Sequence, residues 1–209
     1  MSHKITVSVL TLWLGILNGC GAARPSKYYQ LTVPGDTTTA ADPTPYPVTL
    51  LLGPITSSHL YREDHIVYSS GAQNMGTYEY QRWAAPPTEM IEDVLLRQLR
   101  ASRRYRAVYS LHSNIHGDYL LHGHLYDFKE VTGGTLVARV TLELELRDTK
   151  TGATVWTHFY THDEPVSGKD VSGVVAAIDR NAQQAVNEIR AGVDQYFSTH
   201  LPGNSTPAQ

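Results

Sequence analysis

The strongest constraint on the fold is a stretch in which apolar residues alternate with mainly polar ones. The apolar members are Leu136, Ala138, Val140, Leu142, Leu144 and Leu146, and between them lie Val137, Arg139, Thr141, Glu143, Glu145 and Arg147. Successive side chains of a strand point to opposite faces, so this pattern predicts a strand with one buried face. Gly133-Gly134 before it and residues 148–152 after it are typical hairpin loops. Residues 118–128, 135–147 and 153–162 are therefore predicted to form an antiparallel meander.

Two helices are predicted outside this meander. Pro86-Pro87 opens the first, over residues 86–102, because proline suits the first helical positions. Its apolar residues recur at helical spacing, namely Met90, Ile91, Val94, Leu95 and Leu99. The second, over residues 167–199, carries one apolar stripe, and Ser167 with Asp170 is predicted as a capping-box variant at its start.

Five further segments are predicted to be strands from their β-branched and aromatic residues. They are residues 27–31, 48–55, 66–68, 77–83 and 105–109. Together the elements predict an α+β domain over residues 48–200. Its architecture is expected to be a two-layer sandwich, with a mainly antiparallel sheet and two long helices on one face.

The first nineteen residues have the features of a secretory signal peptide. A short polar start with Lys4 precedes an apolar run over residues 5–17. At about 1.5 Å per residue the run reaches roughly 20 Å, too short for the ~30 Å hydrocarbon core of a bilayer. The run ends in Leu17-Asn18-Gly19-Cys20. This tetrapeptide resembles the lipobox of bacterial lipoproteins, with Asn18 in place of the usual Ala, Ser or Thr.

The lipobox resemblance implies a lipid anchor at Cys20. In such proteins the cysteine sulfur receives a diacylglycerol, the peptide is cut before it, and the new amino terminus is usually acylated as well. Two or more chains, at about 0.8 kcal/mol per buried CH₂, hold a protein firmly on a membrane. Gly21 is not the aspartate of an inner-membrane retention signal, so outer-membrane placement facing the periplasm is expected. The alternative for Cys20 is a small buried thiol that happens to follow a signal peptide.

Composition limits the remaining possibilities. Residues 20–47 are predicted to be a lipidated N-terminus and flexible linker. Residues 34–47 contain four prolines, and their apolar residues recur at neither helical nor strand spacing. Residues 201–209 are predicted to be a disordered tail. Cys20 is the only cysteine, so no internal disulfide can form. A net charge of −3 and a pI near 6.3 argue against a nucleic-acid partner.

No catalytic or metal-binding pattern stands out in the sequence. Gly-x-Ser-x-Gly and the phosphate-binding glycine loop are both absent. Among ten histidines, His122 and His124 are predicted on one outer strand of the meander and His158 on the other. They could meet only across the middle strand, whereas a zinc site needs three or four converging ligands. We therefore expect neither an enzyme nor a metal or other cofactor beyond the acyl chains on Cys20.

A family resemblance appears between Leu52 and Met90. The chain reads Leu52-Gly53-Pro54-Ile55, Leu60-Tyr61-Arg62, Ile66-Val67-Tyr68-Ser69-Ser70-Gly71 and Tyr78-Glu79-Tyr80-Gln81-Arg82-Trp83-Ala84, followed by Pro86. This closely resembles the ABC-type transport auxiliary lipoproteins, the PqiC-like family. Tyr28-Tyr29-x-Leu31, the segment from Gly123 to Phe128, and Asp148-x-x-Thr151-Gly152 with Trp156 fit the same pattern.

The resemblance implies a non-catalytic part of an MCE-type lipid transport system. Such systems combine an inner-membrane ABC transporter, MCE proteins that form a hydrophobic conduit, and an outer-membrane lipoprotein, which is the expected role of this chain. Its expected partners are an MCE-domain protein and the outer membrane, and further copies of the same chain are a third candidate. Two rival hypotheses remain, a free-standing envelope lipoprotein that binds peptidoglycan or a small apolar ligand and, more remotely, a hydrolase. An apolar ligand would require a pocket between the helices and the sheet.

The residues that would contact the MCE partner are predicted around the Tyr-x-Tyr-x-Arg-Trp segment. They are Tyr61, Arg62, Tyr68, Tyr78, Tyr80, Arg82 and Trp83. Tyrosine and arginine are enriched at interface hot spots, which favours a contact surface. The competing interpretation is that these rings cover the sheet edge or the first helix, and Trp83 in particular is expected in the core.

Overall fold

The computed structural model describes residues 24–33, 45–71, 73–111 and 115–201. The predicted signal peptide, Cys20 and the tail beyond residue 201 lie outside these residues. The strands are β1 Lys27–Tyr29, β2 Tyr46–Ser57, β3 His65–Ser69, β4 Met75–Trp83, β5 Tyr105–Ser110, β6 Tyr119–Val131, β7 Val137–Asp148 and β8 Thr154–Pro165, and the helices are α1 Pro87–Ala101 and α2 Val171–His200. A short 3₁₀ turn spans His59–Tyr61. The predicted α+β class is confirmed.

The sheet is organised around β6. One edge of β6 pairs with β7 along its whole length, antiparallel, and β7 pairs in turn with β8. The opposite edge is shared: β2 pairs with residues 119–125 and β3 with residues 129–131. From there one branch continues from β2 to β5, and the other continues from β3 through β4 to β1. The predicted meander of β6, β7 and β8 is therefore present.

Parallel pairing is the part of the topology that the sequence pattern did not indicate. β2 runs parallel to both β5 and β6, β3 runs parallel to β6, and β1 runs parallel to β4. Parallel neighbours need a crossover connection, and α1 lies in the chain between β2 and β5. The long pairings of the meander are antiparallel and the shorter ones are mostly parallel, so the sheet is mixed.

One face of the sheet is buried under both helices. Helix α2 packs over β7 and β8, α1 packs over β2 and β5, and the two helices contact each other. The alternating residues of β7 behave as predicted, since Leu144 and Leu146 are fully buried. The opposite face of the meander carries Arg139, Glu143 and the other polar members of the pattern. We call this second surface the open face.

A buried asparagine joins α2 to the sheet. Asn181 is inaccessible to solvent, and its side-chain amide donates to the carbonyls of Ala138 in β7 and His162 in β8, at 2.9 and 2.8 Å. Its own carbonyl oxygen accepts a hydrogen bond from the Tyr160 hydroxyl at 2.6 Å. Buried polar groups are tolerated when their partners are supplied in this way. The network fixes the position of α2 along the meander.

Helix α2 begins four residues later than predicted. Asp170 is the N-cap, and its carboxylate accepts a hydrogen bond from the backbone amide of Gly173 at 3.0 Å. Gly168 has φ +91°, a left-handed conformation that cannot belong to a right-handed helix. Ser167 therefore lies before the helix and takes no part in a capping box.

The first strand belongs to the domain rather than to a linker. β1 pairs with β4, and Leu31 just after it is buried. The Thr32 amide donates to the Asp179 carboxylate in α2 at 2.8 Å, and the Gln183 side chain donates to the Thr32 carbonyl. The predicted linker over residues 20–47 is wrong for residues 27–33, because an apolar anchor and paired backbone groups fix them to the fold, and for residues 46–47, which are the start of β2. Residues 34–44 lie outside the described part of the chain.

Candidate interaction surface

Two of the seven predicted contact residues lie in the core. Trp83 is fully buried, with its ring centroid 5.3 Å from that of Phe128. Tyr61 is 1% exposed, and burial together with the Asp127 carboxylate raises the pKa of its hydroxyl to about 12. Neither ring can meet a partner while the domain is folded. The prediction of a contact role is wrong for Tyr61, and the core interpretation of Trp83 is correct.

Two more of the predicted residues form an internal polar cluster. The rings of Tyr68 and Tyr78 pack edge to face, 5.3 Å between centroids. The Tyr78 hydroxyl donates to the Glu130 carboxylate at 2.6 Å, and Glu130 is only 5% exposed. Burial and the hydrogen bond to Glu130 raise the pKa of Tyr78. A Cβ at Gly76 would lie 2.5 Å from the Tyr68 ring, so glycine at this position leaves room for the ring where it lies. The cluster supplies a partner for a buried carboxylate, which is a structural role.

Arg82 connects β4 to the loop that precedes β3. Its guanidinium donates to the Asp64 carboxylate at 2.8 Å, and the Asp64 carbonyl accepts from the Trp83 amide at 2.7 Å. The Arg82 side chain keeps 29% of its surface exposed. Part of Arg82 therefore faces solvent, while its charge is already paired within the domain.

Arg62 and Tyr80 are the members of the group that lie at the surface without a core or cluster role. Arg62 is exposed, and Tyr80 is half-buried. The neighbouring Glu79 carboxylate raises the pKa of the Tyr80 hydroxyl. The seven predicted residues therefore occupy different environments and do not make one continuous contact surface.

The open face of the sheet carries an aromatic patch that the sequence reasoning missed. Phe159 is 57% exposed and Tyr126 is 46% exposed, with ring centroids 6.0 Å apart. The His124 ring lies 4.5 Å from that of Tyr126, whose hydroxyl donates to Glu143 at 2.8 Å. Phe159 lies opposite Glu143 in the register of β7 and β8. Extending the alternation of β7 across that register would have placed Phe159 on the polar face of the sheet. A large apolar side chain on such a face indicates a candidate contact surface. We call His124, Tyr126 and Phe159 the open-face patch.

The three histidines considered as metal ligands do not converge. His122 and His124 lie opposite Glu145 and Glu143, on the open face. His158 lies opposite Leu144, on the helix-covered face, where its Nε2 is 3.7 Å from the Glu188 carboxylate of α2. Within the described residues no group of three or more metal-binding side chains comes together.

A groove of about 730 Å³ runs between residues 30–33 and α1. Leu31, Met90 and Val94 line its floor, while Glu89 and Asp93 contribute carboxylates at its wall. An apolar ligand would have to strip water from those carboxylates, which is costly. The groove therefore gives no support to the rival hypothesis of a small apolar ligand.

Comparison with known families agrees with this architecture. The family model described as ABC-type transport auxiliary lipoprotein component matches residues 29–190, which is most of the chain. The chain belongs to this family. The match begins at Tyr29, the last residue of β1. No curated protein matches the sequence.

Solved structures share the fold of this auxiliary lipoprotein. Protein XCC0632 from Xanthomonas campestris, of family DUF330, is 21% identical with a TM-score of 0.73, and the alignment covers 84% of this chain and 100% of that protein. An uncharacterized protein is 13% identical with a TM-score of 0.64, over 81% and 99% of the two chains. The hypothetical protein CT253 from Chlamydia trachomatis is 8% identical with a TM-score of 0.52, over 74% and 99%. At these identities the likeness establishes the fold alone.

The auxiliary lipoprotein has no helix, among its described residues, that is both long and apolar enough to cross a membrane. Helix α2 is thirty residues long, but its apolar side chains form a single stripe that packs on the sheet. The helix therefore contributes to the core of the domain along its length.

Proposed function

We propose that this protein is an outer-membrane-anchored periplasmic lipoprotein that acts as a non-catalytic docking component of an MCE-type ABC lipid transport system. The observation that carries the proposal is the family match over residues 29–190, to an auxiliary component of ABC-type transport. The lipobox-like sequence before Cys20 supports the anchor. Gly21 supports the outer membrane, because it is not the retention aspartate.

A docking role fits the physical task of lipid transport. Acyl chains cannot cross an aqueous gap unshielded, because exposing them to water is unfavourable. A conduit must therefore end against the membrane that receives or supplies the lipid. A folded domain held to that membrane by its own acyl chains can bind the end of the conduit by ordinary protein contacts.

The open-face patch is the surface that we propose for the MCE partner. Exposed aromatic rings are frequent anchors of interfaces, since each buries a large area at a small entropic cost. Phe159 and Tyr126 expose two such rings side by side, and Glu143 offers a carboxylate next to them. The surface around Arg62 and Tyr80 remains a second candidate, and the same experiment distinguishes the two.

The experiment is co-purification of the MCE protein from detergent-solubilised membranes with tagged forms of this lipoprotein. We expect the wild type to recover the MCE protein. The double variant Phe159→Ser with Tyr126→Ser should recover at least tenfold less of it, with an unchanged melting curve. The matched control is Arg62→Ala with Tyr80→Ser, which replaces two surface residues elsewhere. Loss of recovery in the control pair alone would move the contact to that surface. No recovery by the wild type would contradict the proposed function itself.

A further inference from the structure

The distance from the lipid anchor to the folded domain is short. Arg24 is the first described residue, and it follows Cys20 by four positions. A chain spans at most about 3.6 Å per residue, so four residues reach no further than about 14 Å, and the seven residues to Lys27 no further than about 25 Å. These limits hold for any conformation of the intervening residues. Whatever surface surrounds β1 must therefore lie close to the membrane that holds the acyl chains.

The start of β1 is fixed with respect to the rest of the protein. Lys27 lies opposite Gln81 and Tyr28 opposite Arg82 in the β1–β4 pairing, and the Tyr29 carbonyl accepts from the Ala84 amide at 2.6 Å. Leu31 is buried immediately afterwards. The short tether therefore restricts the orientation of the whole domain and not only the position of a mobile end.

The exposed chemistry of this segment suits a phospholipid surface. Arg24 and Lys27 are exposed cations, and Tyr28 is 63% exposed, the largest exposure among the large hydrophobic residues described. Lysine and arginine near a headgroup region are attracted to lipid phosphates, and tyrosine prefers the membrane–water interface because its ring is apolar and its hydroxyl polar. Glu79 is the one acidic residue of β4.

We propose that Arg24, Lys27 and Tyr28 form a membrane-contact surface, through which the β1 edge of the sheet rests on the phospholipid headgroups. The proposal depends on the acyl anchor of the proposed function. It also sets the direction of the open-face patch. In the strand order β1, β4, β3, β6, β7, β8, five steps of about 4.8 Å separate β8 from β1. When the sheet stands upright on its β1 edge, Phe159 in β8 therefore lies roughly 24 Å further from the bilayer than Tyr28.

The test uses the mature lipoprotein reconstituted in phosphatidylethanolamine and phosphatidylglycerol vesicles that contain brominated acyl chains, which quench tryptophan at short range. Tyr28→Trp reports from the proposed contact, and Phe159→Trp is a matched control because both positions are strongly exposed. The native Trp83 is fully buried. The fluorescence of Trp83 and Trp156 is measured in the parent protein and subtracted from that of each variant. Melting curves establish that each variant folds.

The proposal predicts that bromination quenches the tryptophan at position 28 at least threefold more strongly than the one at position 159. Equal quenching at the two positions in protein that floats with the vesicles would overturn the membrane-contact surface and leave the anchor intact. Stronger quenching at position 159 would also overturn it, since the opposite edge would then face the bilayer. Protein that does not float with the vesicles would overturn both the anchor and this surface.

Discussion

The Tyr78→Phe substitution distinguishes a structural role of the Tyr-x-Tyr-x-Arg-Trp segment from a role in contacting a partner. It removes the hydroxyl that donates to Glu130 at 2.6 Å and leaves a carboxylate that is 5% exposed without this donor. A hydrogen bond to a charged group contributes about 1.5–3 kcal/mol when fully buried. Tyr78 itself is only half-buried, so we expect a loss of about 1–2 kcal/mol in the free energy of unfolding.

Urea denaturation followed by circular dichroism measures this loss. With an m-value of about 2 kcal/mol/M for a domain of this size, the midpoint should fall by roughly 0.5–1 M. Tyr80→Phe is the matched control, because it removes the same group from the same strand, where the neighbouring Glu79 carboxylate is exposed to solvent. The midpoint of that variant should stay at the wild-type value.

Co-purification of the proposed MCE partner should be unchanged in Tyr78→Phe and Tyr80→Phe, at temperatures where both variants are folded. The reasoning is refuted if Tyr78→Phe keeps the wild-type midpoint and yet loses the partner. That result would mean that the Tyr78 hydroxyl contacts another protein. The structural role given to the internal polar cluster of Tyr68, Tyr78 and Glu130 would then be wrong.

Three further predictions follow from the packing and the ionisable groups. Asn181→Ala removes the donors of two backbone carbonyls and the shorter of the two hydrogen bonds of the Tyr160 hydroxyl, which keeps only the Asn181 backbone carbonyl at 3.2 Å, so it should cost about 2–4 kcal/mol in urea unfolding, whereas the exposed Gln184→Ala on the same helix should cost under about 0.5 kcal/mol. The pKa of Tyr61 is about 12 in the folded protein, whereas an unfolded tyrosine loses its proton near pH 10. The free energy of unfolding should therefore fall as the pH rises from about 10 to 12, and Tyr61→Phe should make that fall shallower. The Arg139 guanidinium lowers the pKa of Asp163, whose contribution to stability is present above about pH 4 and lost below it, so Arg139→Gln should flatten the acid limb of the stability curve.

Local patterns in the sequence were sufficient for most of the secondary structure. The alternation around Leu142 and the glycine-containing loops on either side predicted β6, β7 and β8, since period and turn chemistry act over a few residues. The stripe of α2 predicted the face that it buries. The start of α2 was misplaced because the left-handed Gly168 is not distinguishable by sequence from a glycine inside a helix.

Contacts between distant segments were not predictable in this way. No local pattern indicates that β2 lies between β5 and β6, because parallel pairing joins strands far apart in the chain. The same limitation affected the candidate site. Aromatic residues with polar tips suit both interfaces and cores, so Tyr61 could be assigned to the core only once the turn around it was placed. Phe159 was overlooked because the alternation of β7 was not extended across the register to β8, where Phe159 lies opposite Glu143 on the polar face.

The mass and N-terminal sequence of the mature protein in the membrane fraction test the central claim most directly. The account predicts a mature protein that begins at Cys20, carries a diacylglycerol on the cysteine sulfur with the usual N-acyl chain, and incorporates labelled palmitate. The Cys20→Ala form should incorporate no label. A wild-type chain that retains residues 1–19, or one that begins at Cys20 with no added acyl mass, would contradict the account.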